Sequence, residues 1–225
     1  MPIYDILVYA HVLAFVFWLG GDLGVAILGS AFRNRTKPLT TRLEILRLLG
    51  VVDMGPRTAW VLMVPLSITL VSVAGYWGWP SFVMWLSWLV GVVWMALTWT
   101  IHLRTGAPIV ARLKQIEFWL KLLITAFYAV IGASSLMGLG PFGDVWLALK
   151  AAVFAAIFAA AIMIDVAGRP VGPLLLAVIE KGSSDATEIP LRRAMDRARL
   201  WVWLTYVLLV IIGFLGTVKP VFGAG

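Results

Sequence analysis

The first apolar stretch of the sequence holds two residues that can do chemistry inside a membrane, His11 and Asp22. In the segment HVLAFVFWLGGDLG, His11, Phe15, Trp18 and Asp22 recur at helical spacing, so all four share one helix face. A titratable group in hydrocarbon costs about 3 kcal/mol or more, so such side chains turn towards the interior of a helix bundle. Two interpretations are open for this face: a hydrogen bond to a neighbouring helix, or a ligand for a bound cofactor.

The composition is typical of polytopic membrane proteins. Of 225 residues, 62% are hydrophobic and 13% are charged, with twelve Trp and a net charge of +7. Indoles favour the membrane interface and cations favour the cytoplasmic side, so the positive charge indicates membrane topology, with the lipid bilayer and not nucleic acid as the partner. The chain has no cysteine, which excludes disulfides and thiolate-bound metal and leaves His, Met and carboxylates as metal ligands.

Six apolar segments reach the roughly 20 residues that a membrane-spanning helix needs. We predict an all-α membrane protein, a six-transmembrane helical bundle in one polytopic domain, with spans at about 5–29, 57–77, 81–103, 118–139, 144–166 and 200–218. The first segment carries Asp5 where a signal peptide would carry basic residues, so we interpret it as a span. Helical spacing also predicts a helix within 40–55 and a short amphipathic helix, a GSSD turn and a basic approach within 171–199.

The connections between the spans predict the orientation. The connections after the first, third and fifth spans hold five, three and six of the eighteen Lys and Arg residues, whereas GWPS and GLGPFGD hold none. By the positive-inside rule the three basic connections are cytoplasmic and both termini lie outside, as in a multi-pass protein of a bacterial inner membrane.

Depth along each span, at about 1.5 Å per residue, separates two polar layers. His11 and Lys150 both fall about 8 Å below the outer surface. His102 falls at roughly 24 to 31 Å, close to an inner polar layer made of Asp22, Asp53, Arg57, Lys121 and Asp165. Because the two axial ligands of one iron lie within about 4 Å of each other, we do not expect one haem to be held by both histidines.

Each of these polar residues also has a purely structural interpretation. Two interpretations are open for the inner layer: its charges neutralise one another, or they form a proton path or a site for a lipid headgroup. Two interpretations are also open for Lys150: its side chain reaches the outer interface, or it is a companion ligand to His11. For His102 the alternatives are an interfacial role and a place in an aromatic pocket. The second is considered because Trp88, Met95 and Trp99 share its helix face. The methionines within the spans lack the paired spacing expected of a copper path, so we interpret most of them as packing residues.

Two motifs carry a resemblance to a known superfamily. HVLAFVFWLGGDLG, with His11 followed by Trp18 and two glycines, resembles the first helix of the superfamily of copper-resistance D proteins, HemJ-type protoporphyrinogen oxidases and their integral-membrane relatives. WLALKAAVFAAIFAA, with Trp146 and Lys150 near its start, resembles the helix in which HemJ-type proteins keep a functional lysine. The HemJ-type aromatic and Pro-Arg element after the first-helix glycines is replaced here by DLGVAILGS.

The resemblance implies a helical bundle in which His11 is the iron ligand of haem b and Lys150 is its catalytic companion. Trp18 and His102 complete the set of residues that we consider for cofactor binding. We therefore predict a haem b protein that acts in electron transfer or in oxidation of a quinone or porphyrinogen, with a periplasmic redox or copper-binding protein as partner and self-association into a homo-oligomer. Two alternatives stay open: transport of copper or a small solute through the bundle, and a structural membrane anchor of a larger redox complex.

Overall fold

The structure is a computed structural model that describes residues 3–78 and 80–221, and these residues form eight α-helices without a strand. The helices are α1 (Ile3–Phe32), α2 (Leu39–Val52), α3 (Met54–Val73), α4 (Ser81–Leu103), α5 (Ile109–Leu136), α6 (Val145–Gly168), α7 (Val171–Lys181) and α8 (Asp185–Val218). Six helical stretches within the described chain are long and apolar enough to cross a membrane, with α2 running into α3 and α6 into α7. The predicted all-α class with six spans is therefore confirmed.

Residue packing divides the chain into two compact units, Met1–Glu117 and Phe118–Gly225. In the first unit α1 packs against α2 and α3, and α3 packs against α4. In the second unit α8 packs against both α6 and α7. The boundary falls within α5, whose first turns belong to the first unit and whose remaining turns belong to the second.

Small residues set the close approach of helices in the first unit. A Cβ atom at Gly21 of α1 would lie 2.7 Å from Cδ of Pro56 in α3, so only glycine fits there. A Cβ atom at Gly91 of α4 would lie 3.0 Å from Cγ of Pro65 in α3. These contacts fix the register of α3 against its two neighbours: the middle of α1 lies beside the start of α3, and the middle of α4 lies beside the middle of α3.

The helices predicted outside the spans are present. Asp53, in a helical conformation with φ −60° and ψ −22°, joins α2 to α3, so the helix within 40–55 continues almost directly into the second span. In the second unit α7 ends at Gly182, where φ is +83°, and Ser184 and Thr187 form a capping box that starts α8. The basic approach to the sixth span is thus helical too, and α8 begins fifteen residues before the predicted boundary at 200.

The alanine-rich α6 forms the core of the second unit. A Cβ atom at Gly132 of α5 would lie 2.6 Å from the backbone nitrogen of Ala152, so α5 and α6 touch backbone to backbone. Tyr128 of α5 packs edge-on against Phe154, with 4.7 Å between ring centroids, and Phe154 packs against Phe158 at 5.1 Å. The alanine-rich run AAVFAAIFAAA of α6 thus provides a surface on which α5 packs closely.

Candidate functional site

His11 lies on the face of α1 that packs inside the first unit. Ala14 and Trp18, one and two turns further along this face, are two of the three buried residues of α1. The imidazole is half-buried, and although the residue has other contacts, its buried Nδ1 atom makes no hydrogen bond among the described residues. An imidazole held at the edge of an apolar core, with a ring nitrogen outside the hydrogen-bond network, is chemically suited to be a metal or haem ligand.

Three buried tryptophans form a continuous stack beneath His11. Trp18 of α1 lies 6.2 Å from Trp60 of α3 between ring centroids, and Trp60 lies 5.2 Å from Trp94 of α4 in an edge-on arrangement. Trp94 has no exposed surface. The sequence drew attention to Trp18 only, because nothing in the spacing of Trp60 or Trp94 shows that three helices bring the rings together.

A carboxylate lies at each end of this tryptophan stack. The Trp18 side chain forms a hydrogen bond with Asp22, one turn further along α1. At the other end Nε1 of Trp94 and the Thr98 hydroxyl both donate to Oε1 of Glu117, at 3.3 and 3.4 Å. The Glu117 side chain is buried. Sequence analysis missed Glu117 because it precedes the predicted fourth span by one residue, although its spacing of four from Lys121 was a usable signal.

The first unit also brings together three members of the predicted inner polar layer. Nε of Arg57 lies 2.5 Å from Oδ2 of Asp53, as the spacing of four residues predicted. Both charges lie close enough to Asp22 to act on its carboxyl group. Asp22, Asp53 and Arg57 therefore form one electrostatic group at the junction of α1, α2 and α3.

His11 and His102 lie on opposite sides of the tryptophan stack. Because Trp18 and Trp94 are at one level, His11 is about 10 Å from that level along α1, and His102 is about 12 Å from it along α4 in the opposite direction. The His102 ring packs edge-on against Trp99, with 6.3 Å between centroids. Trp88, the other indole on that face, donates to the hydroxyl of Thr69 at 3.0 Å. This geometry leaves the two histidines too far apart for one iron.

The second unit contains the remaining ion pair of the predicted inner layer. Nζ of Lys121 in α5 lies 2.8 Å from Oδ2 of Asp165 in α6. The Lys121 side chain is only 3% exposed, whereas that of Asp165 is 40% exposed. The structure thus describes one group of inner-layer residues within each unit.

Lys150 occupies the other end of the second unit. Its aliphatic chain crosses Gly216 of α8, where a Cβ atom would lie 2.6 Å from Nζ and 3.4 Å from Cε. Nζ of Lys219 lies 5.4 Å from the centroid of the Trp146 ring in a cation–π contact. His11 belongs to the first unit and Lys150 to the second, so the common layer expected for them stays a prediction.

The described residues contain no group of three or more His, Asp or Glu side chains that could hold a metal ion. Of the methionines within the predicted spans, Met63 is buried in the core of the first unit, and Met137 is exposed. Metal binding in this part of the chain would therefore depend on a single histidine or on a ligand set supplied partly by a cofactor.

Comparison with known proteins adds no relative: no protein-family model, no curated protein and no solved structure matches the chain. The likeness to the copper-resistance D and HemJ-type superfamily rests on the two motifs, which the structure places in α1 and α6.

Proposed function

We propose that this protein binds haem b in the membrane, with His11 as the iron ligand, and acts in electron transfer or in oxidation of a lipophilic substrate such as a quinone or porphyrinogen. The observation that carries the proposal is the position of His11: a half-buried imidazole on the packed face of α1, two helical turns from an apolar core of three contacting tryptophans. Bound haem b would supply one-electron exchange, for which its iron needs only this kind of axial nitrogen.

The residues around His11 have distinct parts in this proposal. Ala14, one turn from His11 on the same face, is a small buried residue of this core. Trp18, Trp60 and Trp94 keep the inner side of the site dry, and burial of this kind is one of the means by which a protein sets a redox potential. Lys150 is proposed as the companion of His11 from the resemblance and the depth argument.

The proposed topology places the His11 side of the protein outside. The Arg- and Lys-rich connections favour a cytoplasmic location for the joint between α1 and α2 and for α7, in a bacterial inner membrane with both termini outside. A cofactor about 8 Å below the outer surface would lie within reach of a periplasmic redox partner.

A visible absorption spectrum of the detergent-purified protein tests the proposal. We expect a Soret band that disappears in His11→Gln, because glutamine fills a similar volume without offering an imidazole nitrogen to iron. His102→Gln is the matched control, and we expect it to keep the band because His102 lies on the other side of the tryptophan stack. Circular dichroism melting curves establish that both variants fold.

Two results would overturn the proposal: no Soret band after growth with added haem precursor, or an unchanged band in folded His11→Gln. The first result, combined with copper accumulation in cells that depends on His11, would favour the transport alternative. The first result combined with copurification of a soluble redox protein would favour the membrane-anchor alternative.

A further inference from the structure

Lys150 is a cation inside a membrane helix for which the described residues of the second unit provide space but no ion-pair partner. Gly216 lets the lysine chain lie directly on the backbone of α8, because any larger residue there would meet its Nζ and Cε atoms. In the part of the chain that the structure describes, the Lys150 ammonium group forms neither a hydrogen bond nor an ion pair. Residues 3–78 and 80–221 therefore accommodate this charge without a carboxylate bound to it.

A second lysine lies close to the first. Lys219 is the residue after α8, in a left-handed conformation with φ +47°, and this turn directs its ammonium group over the Trp146 ring of α6. The Lys219 charge lies near enough to Lys150 for the two cations to repel each other. Asp144, at the N-cap of α6, is exposed and forms no ion pair with either lysine among the described residues.

Holding two cations close together without a carboxylate costs free energy, because the two charges repel each other. An anion bound between them recovers that free energy. The N-terminus of α6, at the same end of the unit, adds a weak preference for negative charge. Exposed apolar side chains lie at the same end of the unit, among them Phe214 and Val218 of α8 and Val145 of α6, and are available for contact with acyl chains. Trp146 has the position and character of an interfacial anchor.

We propose that Lys150 and Lys219 form a binding site for a phosphate group, which the surrounding apolar surface matches to the headgroup of an anionic phospholipid. The headgroup phosphate accepts hydrogen bonds from both ammonium groups, and the acyl chains lie along α8. This site lies wholly within the second unit, and although Lys150 is also the proposed companion of His11, lipid retention is measured separately from the Soret band that tests haem binding. A soluble phosphate compound could bind by the same chemistry, and the experiment below distinguishes it from a lipid.

Native mass spectrometry of the full chain, released from detergent with defined lipids, tests this site. We expect phosphatidylglycerol to be retained at least fivefold more than phosphatidylcholine, whose headgroup carries a compensating cation. Lys150→Met and Lys219→Met should each reduce phosphatidylglycerol retention at least fivefold. Lys181→Met, which removes an exposed lysine of α7, is the matched control and should leave retention unchanged. Lys150→Arg should preserve most of the binding.

Inorganic phosphate provides the second arm. If the site takes soluble phosphate compounds, millimolar inorganic phosphate will displace phosphatidylglycerol from the wild type and raise its melting temperature, with both effects lost in Lys150→Met. If the site takes lipid, inorganic phosphate will have no effect. The proposal is overturned if the Lys150→Met/Lys219→Met double variant is folded and binds phosphatidylglycerol and phosphate as the wild type does. Because Lys219 is exposed at a helix end, we expect Lys219→Met to fold, so this single variant tests the site even where the double variant does not fold.

Discussion

Lys121 and Lys150 are lysines within membrane-spanning helices of the same unit, yet their surroundings differ in almost every respect. Lys121 is nearly inaccessible and its ammonium group is 2.8 Å from the carboxylate of Asp165. Lys150 is half-buried, lies over a glycine and is close enough to Lys219 for the two cations to repel each other. The first charge is paired with a carboxylate, and the second forms no ion pair among the described residues.

The difference shows how to separate structural from functional charges in a membrane bundle. Removing a cation from water is costly, so a charge that serves packing is accompanied by its counter-ion on a neighbouring helix. A buried charge without such a partner imposes its cost on folding and is maintained where binding recovers that cost. Residue type and flanking sequence alone do not distinguish the two cases, since both are lysines flanked by apolar residues.

The largest expected effect comes from breaking the ion pair. Asp165→Ala removes the carboxylate 2.8 Å from the buried Lys121 ammonium group, and we expect the free energy of unfolding to fall by about 3 kcal/mol, measured by chemical denaturation in detergent. Asp196→Ala is the control: it removes an exposed ion pair with Arg199 and should cost less than about 1 kcal/mol. Equal costs for the two variants would show that the Lys121–Asp165 pair is not needed to neutralise Lys121.

The second-largest effect is expected at Gly132, where the backbones of α5 and α6 touch. Gly132→Ala forces its Cβ atom against the backbone of Ala152, which has no side-chain rotation to relieve the contact. We expect a loss of about 2 kcal/mol in the same denaturation assay, as for other overpacked cores. Gly143→Ala, where a Cβ atom would meet nothing within 4 Å, should be close to neutral. A neutral Gly132→Ala would mean that α5 and α6 separate easily.

Gly216→Ala should have a smaller effect on stability, although its Cβ atom would come just as close to a neighbour. Here the neighbour is the flexible end of Lys150, which can move, and alanine improves helix propensity by about 1 kcal/mol. We expect a net change of less than about 1 kcal/mol, together with weaker phosphatidylglycerol retention. A stability loss as large as that of Gly132→Ala would show that the lysine is fixed in place.

The smallest expected effect is that of Lys150→Met on stability. Methionine has a similar length, and the substitution removes a cation that repels Lys219, so we expect the free energy of unfolding to change by less than about 0.5 kcal/mol in lipid-free detergent. A loss comparable to that of Asp165→Ala would contradict the comparison, since it would give Lys150 a structural role. Thermal melting monitored by circular dichroism provides an independent measurement.

The six spans and the two extra helices follow from the sequence because length and apolar periodicity decide them. The ion pair between Asp53 and Arg57 is likewise local, since a spacing of four residues on one helix is enough to predict it. The limits of α5 and α8 were missed because polar turns outside the bilayer remain helical when they pack on a neighbour or carry a cap.

The rest of the site depends on which helices touch. The stack of Trp18, Trp60 and Trp94 joins three helices, and no spacing within one helix reveals it. Glu117 was assigned to a connection, and its burial against Trp94 and Thr98 is a tertiary fact. Arg42, counted only as a cytoplasmic charge, is 2% exposed and donates from Nε to the carbonyl of Phe32 at 2.8 Å, which satisfies the C-terminal end of α1.

Helix α8 runs for 34 residues without a break, a length of about 51 Å against a hydrocarbon thickness of about 30 Å. Some four turns, which carry Arg192, Arg193, Arg197 and Arg199, therefore extend beyond the hydrocarbon thickness. They are packed rather than free, because Leu191 and Ala194 are buried and α7 lies against α8. One unbroken helix thus joins this basic segment to Gly216 and Lys219 at its other end.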